Sequence, residues 1–319
     1  MSAEQLLGEV ERSYAAVREA LEASVLPGSP LDHAMREWLT DHSLPPSLLL
    51  PIAAAGGPTR ASVRLASGLG HLLLAMRWLD DLVDADRDGQ LWQRHGVGGA
   101  AVLASSALTH AWATLSAETA LPRTVLTEFG DTTAVLALGE AMDQRTPPRT
   151  IAQWQAIAWR KTAVCYRFAV WAGAVLTRDG DWVQAAPRYG TQLGLYLQAA
   201  DDIAGCFGQG APDLHRGTTL TLPLVELLSE RPDRAALFER RDVVALQSVL
   251  AEHDVHRRCL RRAAGYAASA AAVLRSCPGP WTDSCDGFLA ALCEPATQPC
   301  ESSADGACSL HLDLEPVGR

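Results

Sequence analysis

Four carboxylates, Asp80, Asp81, Asp84 and Asp86, stand within seven residues at the end of a largely apolar run from Leu65 to Leu79. On a helix Asp80 and Asp84 share a face at i, i+4, with Asp81 beside them. Like charges this close repel, so the cluster asks for something positive to neutralise it. A hard cation held by carboxylate oxygens does this, and Mg²⁺ shared with substrate phosphates is the usual solution. The plain alternative is an acidic helix end running into a solvated loop.

A second copy weighs against that alternative. Gln198-Ala199-Ala200-Asp201-Asp202-Ile203-Ala204-Gly205 again closes a largely uncharged run, Tyr189 to Ala200. Facing each other across a helical bundle, the two pairs would rim a cavity with an apolar floor, which suits a diphosphate head on a hydrocarbon tail. Met76, Ala75 and Leu72 precede Asp80 by four, five and eight positions. Helical periodicity puts them on or near the face beneath the aspartates, where such a tail would run. Ala75 leaves space there, and Met76 is flexible enough to swing aside.

Basic donors for a diphosphate are sought at Arg60, Arg64, Arg77, Lys161 and Arg216. Lys161 is the best placed, because Lys161-Thr162-Ala163 interrupts an otherwise apolar helical run. Its plain alternative is a surface lysine laying its stem along apolar neighbours. Arg77 lies four residues before Asp81, so an ion pair within the helix competes with any substrate contact.

These residues need helices to hold them, and the chain supplies little else. Hydrophobic residues make up 48% of 319 residues, alanine is plentiful, and no β pattern of any length is present. Helices are predicted over residues 3–24, 31–43, 100–119, 122–142, 280–293 and, as shorter pieces, 231–275. The long helix bearing the first aspartates opens after Gly56-Gly57-Pro58-Thr59-Arg60. Another runs from Thr150, as N-cap, to about Thr177. The second aspartates ride on a helix from Pro187, tolerated in a first turn, to Phe207. Segments holding Gly89, Gly96 to Gly99 and Gly208 to Gly217 read as loops, and Thr219 begins a helix through Leu222-Pro223-Leu224. Residues 1–293 are read as one large helical domain and 294–319 as a disordered tail.

A net charge of −10 argues against nucleic acid or an anionic membrane as the main partner. Residues 96–116 lack formal charge yet are rich in Gly and Ser with His110 inside, which reads as a buried helix with no stable membrane anchor. The N-terminus opens directly into an amphipathic helix, so a cytoplasmic protein is expected. Among eight cysteines, Cys165, Cys206 and Cys259 read as small core residues. Cys277, Cys285, Cys293, Cys300 and Cys308 form no CxxC pair, which gives zinc little support.

Taken together, these motifs resemble the trans-isoprenyl diphosphate synthases, the all-helical polyprenyl synthetase family. Asp80-Asp81-x-x-Asp84 is similar to that family's first aspartate-rich motif, and Gln198-x-x-Asp201-Asp202 to its second. Lys161-Thr162 resembles the lysine-threonine pair on the intervening helix. Asp213-Leu214-x-x-Gly217 with Thr221-Leu222-Pro223 resembles the segment after the second motif, and Gly56-Gly57-x-x-Arg60 the glycine-rich opening. The resemblance implies an all-α antiparallel bundle of the isoprenoid synthase type around a deep central cavity. It implies an allylic prenyl diphosphate substrate, a homodimer, and Mg²⁺ on Asp80, Asp81, Asp84, Asp201 and Asp202. Lys161 joins these as a catalytic candidate, while Arg60, Arg77, Thr162, Gln198, Arg216, Leu72, Ala75 and Met76 become candidates for substrate contact.

The departures are specific. Gly205 stands where the family's second motif ends in aspartate, and Pro58 and Thr59 stand where its opening carries lysine. Ala85-Asp86-Arg87-Asp88-Gly89 replaces the family's paired arginines, and Thr218 its later lysine. Most of the lost groups would bind isopentenyl diphosphate, the acceptor, or complete the third metal site. Three readings follow: prenyl transfer to isopentenyl diphosphate or a non-standard acceptor, internal cyclisation as in a terpene synthase, or a non-catalytic partner subunit. Gln198 and the overall resemblance favour transfer, Gly205 and the missing bases favour cyclisation or a non-standard acceptor, and intact Asp80, Asp81 and Asp84 weigh against the third.

Overall fold

Apolar residues at i, i+3 and i+4 give helices throughout and no strand among the described residues, which in the computed structural model are 3–41, 46–84, 91–145, 147–208, 211–216 and 220–297. The order is α1 (Ala3–Ala23), α2 (Pro30–Asp41), α3 (Leu50–Ala54), α4 (Arg60–Asp84), α5 (Leu91–Ser116), α6 (Arg123–Arg145), α7 (Ile151–Ala158), α8 (Val164–Thr177) and α9 (Gly180–Phe207). There follow α10 (Pro212–Arg216), α11 (Leu222–Glu230), α12 (Ala235–Glu239), α13 (Val243–Glu252), α14 (Val255–Ser276) and α15 (Thr282–Thr297). A π-helical turn, Trp159–Ala163, joins α7 to α8. Two compact units divide these elements. One comprises Met1–Thr133, Tyr166–Gly190 and Leu274–Gly287; the other comprises Ala134–Cys165, Thr191–Val273 and Phe288–Arg319.

In the first unit α4 is the central support. Thr59 and Ser62 cap it reciprocally: Ser62 N donates to Thr59 Oγ1 at 3.1 Å, and Thr59 N donates to Ser62 Oγ at 2.8 Å. Leu65, Leu69 and Leu72 recur along one buried stripe, each contributing about 1.5–3 kcal/mol by leaving water. α5 packs against α4 through Ala100, Leu103, Ala104, Ala107, Ala111 and Leu115, so the uncharged stretch is a packed helix as expected. The loop expected at Gly96 to Gly99 is instead part of this helix. Only Gly96 breaks it, with a φ of 72° that glycine alone adopts without strain, and the chain resumes helical geometry after that kink. No helix among the described residues is long and apolar enough to cross a membrane.

Further corrections concern helix limits. α9 starts at Gly180, not at Pro187, because Asp179 Oδ1 caps it by accepting Trp182 N at 2.9 Å. Pro187 is thus carried inside the helix. The Gly208 to Gly217 loop contains the short helix α10, and the region 231–275 contains α14, a full helix of 22 residues. The final helix runs to Thr297, four residues into the expected tail; residues 298–319, with Cys300 and Cys308, lie outside the described residues. Cys165, Cys206, Cys259, Cys277 and Cys285 are all buried thiols.

A buried imidazole packed beside a half-buried one makes this unit sensitive to acid. His71 on α4 is fully enclosed, its Nε2 lies 2.6 Å from Ser24 Oγ, and its ring centre is 5.9 Å from that of His110 on α5. Burial, reinforced by His110, holds the imidazole down at about 4 against an ordinary 6.5. The fold therefore keeps the neutral ring while the unfolded chain takes up a proton. His71 costs nothing above about pH 6.5, and stability should fall from there toward pH 4 by up to about 3 kcal/mol. Urea unfolding at pH 7 and at pH 4.5, compared between wild type and His71→Asn, checks this: the difference between the two pH values should shrink in the variant.

Candidate active site

The first motif occupies the last turns of α4, within the first unit. Asp80 and Asp81 are half-buried, and Asp84 closes the helix, its side chain lying outside the described ones. A helix C-terminus carries the negative end of the backbone dipole, and α4 has no basic residue in its last turn. Carboxylates are therefore the wrong charge for this position unless a cation joins them. Arg77 supplies part of the compensation: its Nε lies 3.2 Å from Asp81 Oδ1, the intrahelical pair anticipated at that spacing. Arg60 is largely exposed, 3.4 Å from the buried Glu118 carboxylate, and Arg64 is half-buried. One and two turns below Asp80, Leu72 and Ala75 are fully buried and Met76 is half-buried.

In the second unit three of the sequence motifs converge on one carboxyl group. Asp202 Oδ1 accepts Gln198 Nε2 at 2.7 Å, while Oδ2 accepts both Trp154 Nε1 and Leu222 N, each at 2.7 Å. Gln198 in turn accepts a short hydrogen bond from Thr162 Oγ1. The lysine-threonine pair, the second aspartates and the Thr221-Leu222-Pro223 segment are thus tied together through α7, α9 and α11. Burial pushes the Asp202 carboxyl up to about 7, with Asp201 adding to it and the three donors opposing it. Asp201 is exposed on the same helix. Trp154 was not anticipated; only its place one turn after the Thr150 cap, which accepts Gln153 N at 3.2 Å, marks it in the sequence.

Lys161 sits inside the π-helical turn, a local widening frequent at functional sites. Its Nζ lies 2.6 Å from Asp143 Oδ2 and 3.0 Å from Glu140 Oε2, both on α6. Gly139 permits this close approach, since a Cβ there would stand 2.7 Å from Lys161 N. The sequence reading missed these two acids, although Glu140 and Asp143 are spaced i, i+3 behind a glycine. Arg216 ends α10, and its side chain lies outside the described ones.

No group of three His, Cys, Asp or Glu side chains that could hold a metal is assembled among the described residues. The donor chemistry nevertheless fits a hard divalent cation at the first motif, where Asp80 and Asp81 offer oxygen ligands at a negative helix end. In the second motif both Asp202 oxygens already accept hydrogen bonds.

The all-helical fold is that of the isoprenyl diphosphate synthases. A decaprenyl diphosphate synthase from Rhodobacter capsulatus superposes with a TM-score of 0.82 at 19% identity, covering 92% of this chain and 99% of that one. A polyprenyl synthase from Caulobacter crescentus CB15, solved with calcium and isoprenyl diphosphate, gives 0.79 at 22% identity, covering 90% and 96%. A geranylgeranyl pyrophosphate synthase from Lactobacillus brevis gives 0.78 at 20% identity, covering 88% and 95%. No curated protein matches in sequence. Residues 46–241, more than half of the chain, match polyprenyl synthetase. The chain belongs to the polyprenyl synthetase family.

Proposed function

We propose that this protein is a Mg²⁺-dependent prenyltransferase that ionises an allylic prenyl diphosphate and passes the prenyl group to isopentenyl diphosphate or a non-standard acceptor. The observation that carries this reading is α4 itself: a run of carboxylates at its negative C-terminal end, with no basic residue in the last turn, and a buried apolar face one to two turns below them. Asp80 and Asp81, with Asp84, are the residues to hold the cation; Asp201 has the same role in the second motif. When bound, Mg²⁺ would neutralise charge developing on the departing diphosphate. The chain's own part is to hold that head group at the acidic helix end and keep water from the allylic cation with apolar walls. Arg60, Arg64, Arg77 and Arg216 are the candidate donors to the head group. Lys161 already faces Glu140 and Asp143, so it would reach a phosphate only by sharing its protons with them. The Caulobacter polyprenyl synthase supports the reading, since its structure holds a divalent cation together with isoprenyl diphosphate.

A terpene synthase reaction on the same fold is the second reading, favoured by the opening of α4. Where the family places lysine, Thr59 is spent on capping the helix. Incubation with geranyl, farnesyl and geranylgeranyl diphosphates and Mg²⁺, with and without isopentenyl diphosphate, tests both. Longer diphosphates formed only with isopentenyl diphosphate support transfer; hydrocarbons or alcohols formed without it support cyclisation. No product from any substrate overturns both.

The length of the tail depends on Ala75. Its side chain is the smallest on that stretch of α4 and would obstruct a tail least, so farnesyl or geranylgeranyl diphosphate is the expected allylic substrate or product. Ala75→Phe should shorten what is accepted by about one isoprene unit, at a cost of about 1–3 kcal/mol if the ring overpacks its surroundings. Product profile and melting temperature are measured together. An unchanged chain-length preference in a well-folded variant would remove Ala75 from the pocket.

A further inference from the structure

Of the 27 lysine and arginine residues in the chain, Lys161 alone is lysine. Arginine serves at every other such position, so residue 161 meets a need that a guanidinium does not. Its neighbour makes the contrast. Arg160 precedes it in the same π-helical turn, yet turns back along its own helix: Nη1 donates to Ala156 O at 2.7 Å, and Cζ lies 5.7 Å from the centre of the Trp159 ring. Lys161 instead reaches across to α6, where one nitrogen meets two carboxylates, Asp143 Oδ2 at 2.6 Å and Glu140 Oε2 at 3.0 Å. Those acids share a face of α6 at i, i+3 and would repel without a cation between them. The Asp143 side chain is 7% exposed, and a carboxylate so enclosed needs a paired charge.

Gly139 lets α6 lie flush against the turn, since a Cβ there would stand 2.7 Å from both Arg160 C and Lys161 N. Backbone set against backbone leaves little room between the two acids and residue 161. An ammonium puts three hydrogens on one compact atom. A guanidinium spreads five over a plane and would need α6 and the turn farther apart. The turn is also tied on its other side. Thr162 donates to Gln198, which donates to Asp202 at 2.7 Å. Residues 161 and 162 are thus pinned to α6 and to α9 at once, which holds the ammonium at one place in the second unit.

We propose that Glu140 and Asp143 are positioning residues, which fix the chain's one ammonium to meet a diphosphate and restrict position 161 to lysine. The inference rests on the proposed reaction, which supplies that diphosphate. Asp143 is the enclosed anchor. Glu140, with its side chain 25% exposed, is the more easily rehydrated of the two and the one that an arriving phosphate oxygen displaces.

A single lysine permits a direct test. Full-length protein grown on lysine labelled with carbon-13 at Cε gives one labelled methylene signal, read by NMR beside steady-state kinetics and melting temperature. In wild type the two ε hydrogens should be inequivalent, as in a fixed side chain, and the signal should shift when Mg²⁺ and inorganic diphosphate are added. Asp143→Asn keeps the shape and an accepting oxygen. Its ε hydrogens should average, and kcat/KM for an allylic diphosphate should fall by about tenfold or more. Glu140→Gln should lower kcat/KM by a smaller factor, and Lys161→Arg, which keeps the charge, by at least as much as Asp143→Asn. A purely structural ion pair would lower the melting temperature of all three variants, leave kcat/KM in place and give a wild-type signal indifferent to diphosphate. That result, or Lys161→Arg with wild-type kinetics, overturns the proposal and leaves the proposed function standing. If Asp143→Asn does not fold, wild-type kinetics in Glu140→Gln overturns it. Wild-type protein whose lysine signal ignores Mg²⁺ with diphosphate and which converts no allylic diphosphate overturns both.

Discussion

Asp80→Ala and Asp81→Ala are each expected to lower turnover of an allylic diphosphate by about a thousandfold or more, since the lost cation contact is worth several kcal/mol of transition-state stabilisation. Folding should barely change. Asp81 pairs with Arg77, whose side chain is 46% exposed, and such an i, i+4 pair contributes only about 0.3–0.5 kcal/mol. Losing an acid from the negative end of α4 also relieves repulsion along the helix. The two variants should therefore melt within a few degrees of wild type while losing activity, a separation that structural damage cannot produce. Asp81→Asn sharpens the test by preserving side-chain shape. Undiminished turnover in excess chelator, or Asp81→Ala within tenfold of wild type, would falsify the assignment of α4 as a cation-binding helix.

Local signals carried most of what the sequence revealed. α4 and α9 were legible because each joins an apolar stripe to an Asp-Asp pair, and Thr150 was legible as a cap because its partner, Gln153, is three residues away. Pro187 misled because proline is a strong helix-start signal, while the cap at Asp179 lies eight residues earlier. The π-helical turn at Trp159–Ala163 has no residue pattern of its own. The site's remaining features are tertiary. Nothing local pairs Lys161 with Glu140 and Asp143, or brings Trp154 to Asp202 across 48 positions. Nor does anything local show that Asp213 packs against Gly205, which it does only once α10 folds back.

Asp202 gives the largest expected effect on folding, and the choice of substitution exposes its role. Its two oxygens accept three N–H donors in a site where the side chain is 5% exposed. Asp202→Ala strands Trp154 Nε1, Leu222 N and Gln198 Nε2. Each stranded buried donor costs about 1–3 kcal/mol, so the total should reach about 3–5 kcal/mol, on the order of 10 °C in melting temperature. Asp202→Asn behaves differently. Its carbonyl oxygen can keep Trp154 and Leu222, but its amide then faces the amide of Gln198. Rotating the Gln198 amide turns Oε1 toward residue 202 and Nε2 toward Thr162, whose hydroxyl accepts as readily as it donates. The network inverts without losing a bond, and the cost should be about 1 kcal/mol. A ligand role would give another pattern, with Asn and Ala equally inactive and both nearly as stable as wild type. Thermal unfolding of the two variants distinguishes these cases: an Asp202→Ala protein that melts within two or three degrees of Asp202→Asn would show that the carboxylate does not hold α7, α9 and α11 together.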